Sequence, residues 1–413
     1  MSKPPEKSSM LAAEHMSREK HIPLAKRMQS IQPFHVMSLL GKARALEQQG
    51  RDIIHLEVGE PDFNTPQPII DAGIEALKRG DIHYTPSLGM MSLRQTIADF
   101  YQTRYSLDIP ASRVVITPGA SGALLLIIGA LIGRGDAVML ADPGYPCNQN
   151  FVRFVDGEIQ AIAVDESTSY QLSAELIEQN WQKNTKAVLI ASPANPTGTV
   201  VPEDEMKKII QLVKDKQAYL IVDEIYQGLV YDIESSCVLT SCSDGVDAQN
   251  EHIIIINSFS KYFQMTGWRL GWCVVPEHLV QACDHLAQNL FLAAPTTAQA
   301  AAMAAFLPET IELLEQRRQI FKQRRDYLYP KLIELNFKIP VKPQGAFYFY
   351  CDCSAHTDDS MTLAHELLAA TGVAVTPGID FGNNHPERYI RIAYTRDVKY
   401  LEQAVQRLKD FLS

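Results

Sequence analysis

Apolar runs of strand length alternate with amphipathic stretches from Asp52 onward, and this alternation constrains the fold more than any other feature of the sequence. Strands that helices cover on both faces have continuous apolar runs rich in β-branched residues. The pattern therefore predicts an α/β fold built on a parallel sheet with helices on both sides. The predicted strands are Ile53–Val58, Arg113–Thr117, Ala137–Ala141, Lys186–Ala191, Ala218–Val222, His252–Asn257 and Leu270–Val275.

The pattern changes after Ala300, where a long helical stretch is followed by two separate apolar runs. These runs, Phe347–Tyr350 and Tyr389–Ala393, flank a helix predicted near Thr362–Ala370. They indicate a smaller α+β domain, which we expect to include residues ahead of Glu60 as well. The predicted domains are a mobile tail or dimer-wrapping arm over residues 1–30, a small domain over 31–62 and 301–413, and a large domain over 63–300.

The charge balance and the cysteines exclude several classes of protein. The chain has 48 acidic against 38 basic residues and a net charge of −10, so it has no basic footprint for nucleic acid or an anionic membrane. Its cysteines are scattered without a C-x-x-C pair, so we expect neither a disulfide framework nor a metal site. The longest apolar run, Ala123–Ile132, is too short to span a bilayer. These features predict a cytoplasmic protein that acts on small molecules.

Several familiar motifs lack a residue that their chemistry requires. No G-x-x-x-x-G-K-[ST] is present, and the glycines at 129, 133 and 135 do not form G-x-G-x-x-G. His365-Glu366 begins a metalloprotease-like H-E-x-x-H, but Ala369 occupies the place of the second histidine. We therefore expect neither a dinucleotide fingerprint nor a zinc protease centre.

Two ionisable residues follow predicted strands, at the edge where open parallel sheets place their binding sites. Asp223 comes directly after Val222, so we expect a partly desolvated carboxylate that needs a cationic partner; the alternative is an acidic cap on the next turn. Lys261 follows another predicted strand. In a pocket near Arg269 its amine would lose its proton readily and attack an aldehyde, whereas on the surface it would be an ordinary solvated lysine.

A glycine-rich turn marks a candidate anion site. The turn Gly119–Ala123 follows a predicted strand and opens a helix, so its backbone N–H groups can bind a phosphate on the helix dipole. Ser258 and Arg269 are suited to complete this site, because a guanidinium binds phosphate through a fixed fork of donors. The segment Asn195–Gly198 is by itself typical of a turn after a strand.

Five motifs occur in order along the chain: Gly59-Glu-Pro-Asp62, Tyr84-Thr-Pro, Asn195-Pro-Thr-Gly198, Asp223-Glu-Ile-Tyr226, and Ser258-Phe-Ser-Lys261 followed by Gly267-Trp-Arg269-Leu-Gly271. Together they resemble the class I and II pyridoxal-phosphate aminotransferases, which share fold type I with aspartate aminotransferase. The resemblance extends from about Gln32 to the end of the chain. It implies a large domain with a mostly parallel seven-stranded sheet flanked by helices, and a small α+β domain.

The resemblance also implies an activity. The chain would be a ping-pong aminotransferase that moves the α-amino group of an L-amino acid to a 2-oxo acid such as 2-oxoglutarate, with pyridoxal 5′-phosphate as cofactor. Lys261 would hold the cofactor as an internal aldimine and, after the external aldimine forms, carry the proton that leads to the ketimine and pyridoxamine phosphate. Asp223 would keep the pyridinium nitrogen protonated. Tyr226 and Asn195 would bind the 3-hydroxyl group.

The same resemblance assigns the other cofactor contacts and a homodimer. Tyr84 would reach the cofactor phosphate of the neighbouring subunit, so the active site would require two chains. Tyr145 would stack on the cofactor ring, although an ordinary buried turn tyrosine is the alternative. The phosphate contacts within one chain would come from Gly119, Ala120, Ser121, Ser258 and Arg269.

Arg391 matches the family arginine that binds the substrate α-carboxylate, with Gly59 beside it and Asn195 and Tyr145 in the same substrate site. Arg391 and Gly59 both belong to the predicted small domain. Closure of that domain over the substrate would therefore bring Arg391 toward Lys261 and exclude water.

Two positions depart from the family pattern. Gln264 stands where the family usually has a small residue. Ser121 stands where some aspartate-specific relatives have a lysine that receives the distal carboxylate, so a neutral or aromatic donor is as plausible as aspartate. The neighbourhoods of His35, Met37 and Phe291 are candidates to line the pocket for the donor side chain.

Other functions share parts of this pattern. A carbon–sulfur β-lyase on the same fold needs the same Lys261 and Asp223, but the contexts of Asn195 and Arg391 favour transamination. The pair Ser258-x-x-Lys261 also matches the S-x-x-K of acyl-serine hydrolases, whose S-D-N and K-T-G companions are missing. A regulatory protein that binds the same cofactor would need an added DNA-binding segment, which the mixed-charge N-terminal residues do not supply.

Overall fold

The computed structural model describes residues 24–242 and 251–412. Residues 24–32 belong to a short unit of their own, which contains the 3-10 turn Lys26–Gln29. The elements named below belong to the second unit, which begins at Pro33. The predicted tail or arm over residues 1–30 lies mostly outside the described residues.

The elements of the second unit are numbered in chain order. The α-helices are α1 (His35–Gln48), α2 (Gln67–Arg79), α3 (Met91–Tyr105), α4 (Gly119–Leu131), α5 (Pro146–Phe154), α6 (Ala174–Gln179), α7 (Glu203–Asp215), α8 (Glu277–Leu290), α9 (Thr296–Ala302), α10 (Pro308–Glu334), α11 (Ser360–Thr371) and α12 (Val398–Leu412). The strands are β1 (Ile54–His55), β2 (Val114–Thr117), β3 (Ala137–Asp142), β4 (Glu158–Ala163), β5 (Thr185–Ala191), β6 (Tyr219–Asp223), β7 (Ile253–Ser258), β8 (Gly271–Val274), β9 (Tyr348–Asp352), β10 (Val373–Ala374), β11 (Thr376–Pro377) and β12 (Tyr389–Ala393).

A seven-stranded sheet forms the centre of this unit, in the order β2-β8-β7-β6-β5-β3-β4. Strand β8 is antiparallel to both of its neighbours, and the other pairings are parallel. The predicted α/β fold with a mostly parallel sheet of seven strands is therefore confirmed.

The strands of this sheet differ from the predicted set at one place. Only Ile54–His55 of the predicted strand Ile53–Val58 is extended, and it pairs with β10 in a separate two-stranded sheet. Its place in the central sheet is taken by β4, which was not predicted. Strand β4 lies at the sheet edge and buries only Gln160, which interrupts its apolar residues, so it lacks the longer apolar run of the central strands.

Alternate residues of the central strands enter two separate cores, as expected for strands with helices on both faces. In β7, Ile254 and Ile256 join apolar residues of α4 and α8 on one side of the sheet. Ile253 and Ile255 belong to the larger core on the other side, with residues of α2, α3 and α7. The sheet is thus covered on both faces, and its strand ends are the places open to ligands.

A second sheet has three antiparallel strands in the order β11-β12-β9. In its register Arg391 lies between Tyr350 of β9 and Thr376 of β11. The predicted runs Phe347–Tyr350 and Tyr389–Ala393 correspond to β9 and β12. The division of the chain into a large and a small domain stays a prediction.

No helix within residues 24–242 and 251–412 is long and apolar enough to cross a membrane. In the same ranges, His, Cys, Asp and Glu side chains form no group of three or more that could hold a metal ion. None of the cysteines, all of which lie in the described ranges, forms a disulfide, and most of them are buried.

Candidate active site

The ends of several central strands meet at one edge of the sheet. Strands β2, β6 and β7 run in the same direction and finish at this edge, whereas β8 begins there. Gly271 at the start of β8 pairs with both Thr117 of β2 and Ser258 of β7. The residues at or just beyond these strand ends therefore converge, and they include Gly119, Asp223, Lys261 and Arg269.

A cavity of about 390 Å³ opens at this edge. Its volume falls within the range of about 300–1,000 Å³ that is usual for small-molecule sites. Gly119 and Tyr84 are the predicted site residues that do not line it. The predicted residues that do line it are Gly59, Ala120, Ser121, Tyr145, Asn195, Asp223, Tyr226, Ser258, Lys261, Arg269 and Arg391.

The Lys261 amine lies beyond the end of β7, where Nζ donates a 2.7 Å hydrogen bond to the carbonyl oxygen of Gly59. Burial lowers the pKa of Lys261 from 10.5 to about 8. The Glu60 carboxylate opposes this shift, and the guanidinium of Arg391 adds to it. A lysine with such a pKa is partly neutral near physiological pH, so it is a base and a nucleophile there.

Asp223 is the last residue of β6, and it is only 3% exposed. Its Oδ1 accepts a 3.2 Å hydrogen bond from the backbone N–H of Ile225. Burial raises the pKa of Asp223 to about 7, against the weaker effects of that hydrogen bond and of the Lys261 charge. No described side chain forms an ion pair with it. The carboxylate is therefore available to pair with a cation that the described residues do not supply.

The two polar residues predicted beside Asp223 contact other cavity residues. Tyr226 is buried, and its hydroxyl lies 2.7 Å from the hydroxyl of Tyr348. The Oδ1 atom of Asn195 accepts a hydrogen bond from Arg391, which leaves the Asn195 amide N–H groups to donate elsewhere.

The candidate anion site is built on left-handed backbone. Gly119 has φ +75° and Arg269 has φ +54°. A Cβ atom at position 119 would lie 2.8 Å from Nη2 of Arg269 and would displace the guanidinium, and the left-handed φ also favours glycine there. Helix α4 begins at Gly119, and no described side chain caps its first N–H groups. These groups and Arg269 together are suited to bind an anion.

Arg391 in β12 is 6% exposed, and its guanidinium is held on several sides. Nη1 donates to Oδ1 of Asn195 at 2.9 Å, and Nη2 donates to the carbonyl oxygen of Glu57 at 2.6 Å. The ring centres of Tyr348 and Phe381 lie 4.3 and 4.9 Å from the guanidinium carbon. Nε is buried and donates to no described residue, and Nη1 has a second N–H besides the one that Asn195 accepts, so donors remain for an incoming carboxylate.

Two predicted aromatic residues have different environments. Tyr145 lines the cavity, and its ring stacks on that of Phe34 with centroids 6.4 Å apart. Tyr84 is 86% exposed in the single chain. One chain therefore brings Tyr145 to the cavity but not Tyr84.

Sequence reasoning missed several residues that line the cavity, among them Glu57, Tyr348 and Phe381. Tyr348 lies in a predicted strand, but nothing in the sequence says which face of that strand meets the site. The neighbourhoods of His35 and Met37 do line the cavity, whereas no described residue near Phe291 does.

Gln264, which departs from the family pattern, is placed outside the cavity. It is buried with a left-handed backbone at φ +57°. Its side chain accepts a hydrogen bond from Arg317, and its carbonyl oxygen accepts one of 2.8 Å from Thr65. The departure therefore changes the packing behind the site and not the cavity wall.

Comparisons with known proteins agree with the motifs. The sequence model of the family described as aminotransferase class I and II matches residues 51–408. A (5-formylfuran-3-yl)methyl phosphate transaminase of Methanocaldococcus jannaschii is 37% identical over 390 residues, which are 94% of this chain and 100% of that protein. An aspartate aminotransferase of Bacillus subtilis is 32% identical over 394 residues, covering 94% of this chain and 98% of that protein.

A solved structure has the same fold as well. The crystal structure of an aminotransferase from Mycobacterium tuberculosis superposes with a TM-score of 0.90 at 35% sequence identity. The match covers 95% of this chain and 99% of that chain. The similarity therefore includes both sheets that form the cavity.

Proposed function

This chain belongs to the class I and II aminotransferase family, and we propose that it uses pyridoxal phosphate to move an α-amino group from an L-amino acid to a 2-oxo acid. The observation that carries the proposal is that Lys261, Asp223 and Arg391 line one cavity although they come from two different sheets. They supply an amine, a buried carboxylate and a carboxylate-binding guanidinium, which are the groups that this reaction needs.

Features of the cavity fit pyridoxal phosphate. The Lys261 amine, whose pKa is lowered to about 8, suits the aldehyde group. The buried Asp223 carboxylate forms no ion pair with any described residue, and a protonated ring nitrogen would supply the missing cation. Arg269 and the turn Gly119–Ala123 suit the phosphate, with Ala120, Ser121 and Ser258 also lining that part of the cavity.

The residues of the chain then have distinct tasks. When bound, pyridoxal phosphate supplies an electron sink that stabilises negative charge at the substrate α-carbon. Nζ of Lys261 accepts the proton from that carbon, because a lysine with a lowered pKa is an effective base near neutral pH. Asp223 would keep the ring nitrogen protonated by its charge. Tyr226 and the amide N–H groups of Asn195 would hydrogen-bond the 3-oxygen, and Tyr145 would cover the ring.

Arg391 binds the α-carboxylate that the amino acid and the 2-oxo acid share. Its Nε has no described partner, and its Nη atoms are oriented by Asn195 and Glu57. Gly59 would lie beside the bound substrate, and its carbonyl oxygen accepts the Lys261 hydrogen bond. One guanidinium therefore serves both halves of a ping-pong cycle, because the two substrates differ at the α-carbon and not at the carboxylate.

We also propose that the enzyme is a homodimer. Tyr84 is highly exposed and lies outside the cavity of its own chain, which supports a contact with the cofactor phosphate of a second copy. Residues 31–62 and 301–413 would form the small domain that closes over residues 63–300. The acidic net charge of −10 supports a cytoplasmic enzyme without nucleic-acid or membrane partners.

The test is the visible spectrum of the purified protein loaded with pyridoxal phosphate, before and after single amino acids are added. We expect a yellow form that one donor class converts to the colourless amine form, with release of a 2-oxo acid and no ammonia. Borohydride should fix the cofactor on the wild-type chain but not on a Lys261→Ala variant, as mass spectrometry will show. Release of ammonia with pyruvate would instead identify a carbon–sulfur β-lyase, and a protein that stays colourless would contradict the use of this cofactor.

A further inference from the structure

We propose that the amino donor has an apolar side chain, aromatic or long aliphatic, and that the start of α1 is the wall that selects it. This inference rests on the proposed transamination and deepens it by naming the substrate class. The wall consists of Phe34, Val36, Met37 and Leu40, which all line the cavity.

The apolar wall is fixed beside the substrate carboxylate site. Asp380 accepts hydrogen bonds from the backbone N–H groups of His35 and Val36, at 2.7 and 2.8 Å, and so anchors the first turn of α1. The next residue, Phe381, packs against the guanidinium of Arg391. The start of α1 is therefore tied to the residues that would bind the α-carboxylate.

The wall also contacts Tyr145, another residue that lines the cavity. The ring of Phe34 stacks on Tyr145 at an interplanar angle of 19°. A donor with its carboxylate on Arg391 and its α-carbon at Lys261 would direct its side chain at the wall between Arg391 and Tyr145. That side chain meets Phe34 and its neighbours on α1, so burial of apolar surface there favours apolar donors.

The charges in the cavity disfavour a second carboxylate. Among the described residues that line it, the cations are Lys261, Arg269 and Arg391, and the proposed reaction uses all three. The other charged residues of the lining are acidic: Glu57, Glu60, Asp223 and Asp380. A donor such as aspartate would place its distal carboxylate near an apolar wall without a free cation, which is costly.

The experiment measures the donor half-reaction of the loaded holoenzyme, which needs no acceptor. Loss of the visible absorption gives kcat/KM for phenylalanine, leucine, methionine, alanine, aspartate and glutamate. We expect the best apolar donor to exceed aspartate and glutamate by about tenfold or more. Equal or faster conversion by aspartate or glutamate would overturn the substrate class and leave transamination standing. Conversion by no donor, alanine included, would overturn both proposals.

Variants test the wall itself. Phe34→Ala should lower the ratio of kcat/KM for phenylalanine to that for alanine by about tenfold, because alanine does not reach α1. Phe411→Ala, an equal truncation near the end of α12, should leave this ratio unchanged. Met37→Arg places a cation at a position that is 60% exposed, where an arginine is tolerated. It should raise the ratio of kcat/KM for aspartate to kcat/KM for phenylalanine several-fold. Unchanged ratios in both wall variants would show that α1 does not contact the donor side chain.

Discussion

The hydroxyl oxygens of Tyr226 and Tyr348 lie 2.7 Å apart at the base of the cavity, and both side chains are buried. Each phenol has one proton, so only one of them donates in this pair. If Tyr226 donates to the 3-oxygen of the cofactor, Tyr348 must donate to Tyr226. Gly59 makes the arrangement possible, because a Cβ atom there would collide with the Tyr348 hydroxyl. Tyr348 is therefore a positioning residue for Tyr226.

Tyr348→Phe should weaken the hydrogen bond that Tyr226 donates, because a phenol that accepts a hydrogen bond is the stronger donor. We expect the titration of the visible absorption of the loaded enzyme to move to higher pH. The turnover number should fall about fivefold, which corresponds to one hydrogen bond of about 1 kcal/mol. A pH series of absorption spectra measures the first effect. Tyr231→Phe, which removes another buried hydroxyl outside the cavity, should leave the titration in place; the same shift in both variants would contradict the assignment.

Asp223→Asn should stabilise the protein without its cofactor at neutral pH. Burial raises the pKa of Asp223 from 3.8 to about 7, so between these values the native state binds a proton that the unfolded chain has lost. Stability therefore falls as pH rises through this window, by about 4 kcal/mol in total for a shift of that size. The variant has no such titration. Its free energy of unfolding should exceed that of the wild type increasingly toward pH 7, and the difference should then stay constant.

Urea unfolding of both proteins at about pH 5 and about pH 8 measures this difference. Asp165→Asn is a suitable control, because hydrogen bonds from Ser167 lower the pKa of the exposed Asp165 carboxyl. That carboxyl is therefore ionised in both the folded and the unfolded chain at these two pH values, and the effect of its substitution should be the same at both. A difference at position 223 that does not change with pH would contradict the burial argument. The variant should also lose activity once loaded, since asparagine cannot hold the ring nitrogen protonated.

The sequence was most informative where function depends on local order along the chain. Asp223 and Lys261 each follow an apolar strand, and the carboxyl ends of parallel strands meet at one edge, so their convergence was predictable. Contacts between segments far apart in the sequence were not predictable. Phe34 reaches the cavity because Asp380, far along the chain, anchors the backbone that follows it. The edge strand Glu158–Ala163 was missed because Gln160, the one buried residue of the strand, interrupts its apolar residues.

Arg391→Lys should mainly raise KM for the amino donor. Lysine keeps the charge but loses the fork of donors that Asn195 and Glu57 orient, and a hydrogen bond to a charged group contributes about 1.5–3 kcal/mol. We expect kcat/KM to fall about tenfold to a hundredfold, as steady-state kinetics will show. Arg388→Lys serves as the matched control, because Arg388 pairs with Asp352 outside the cavity. A KM that does not change in the Arg391 variant would rule out its role in carboxylate binding.

Mixing two inactive variants tests whether Tyr84 acts across a dimer. In a hybrid of Tyr84→Ala and Lys261→Ala subunits, one site has Lys261 from the first chain and Tyr84 from the second. That site is intact only if Tyr84 reaches the neighbouring subunit, so mixing at limiting cofactor should restore about a quarter of the wild-type activity when subunits pair at random.

The reciprocal hybrid provides the control for this experiment. This hybrid pairs a wild-type subunit with a chain that has both substitutions. One complete set of residues therefore lies within the wild-type chain. Its one site with Lys261 then lacks Tyr84 from the partner, so the hybrid should bind the cofactor about tenfold to a hundredfold more weakly, the contribution of a hydrogen bond to a charged phosphate. Full affinity in this hybrid, with no recovery in the first, would mean that Tyr84 serves its own chain.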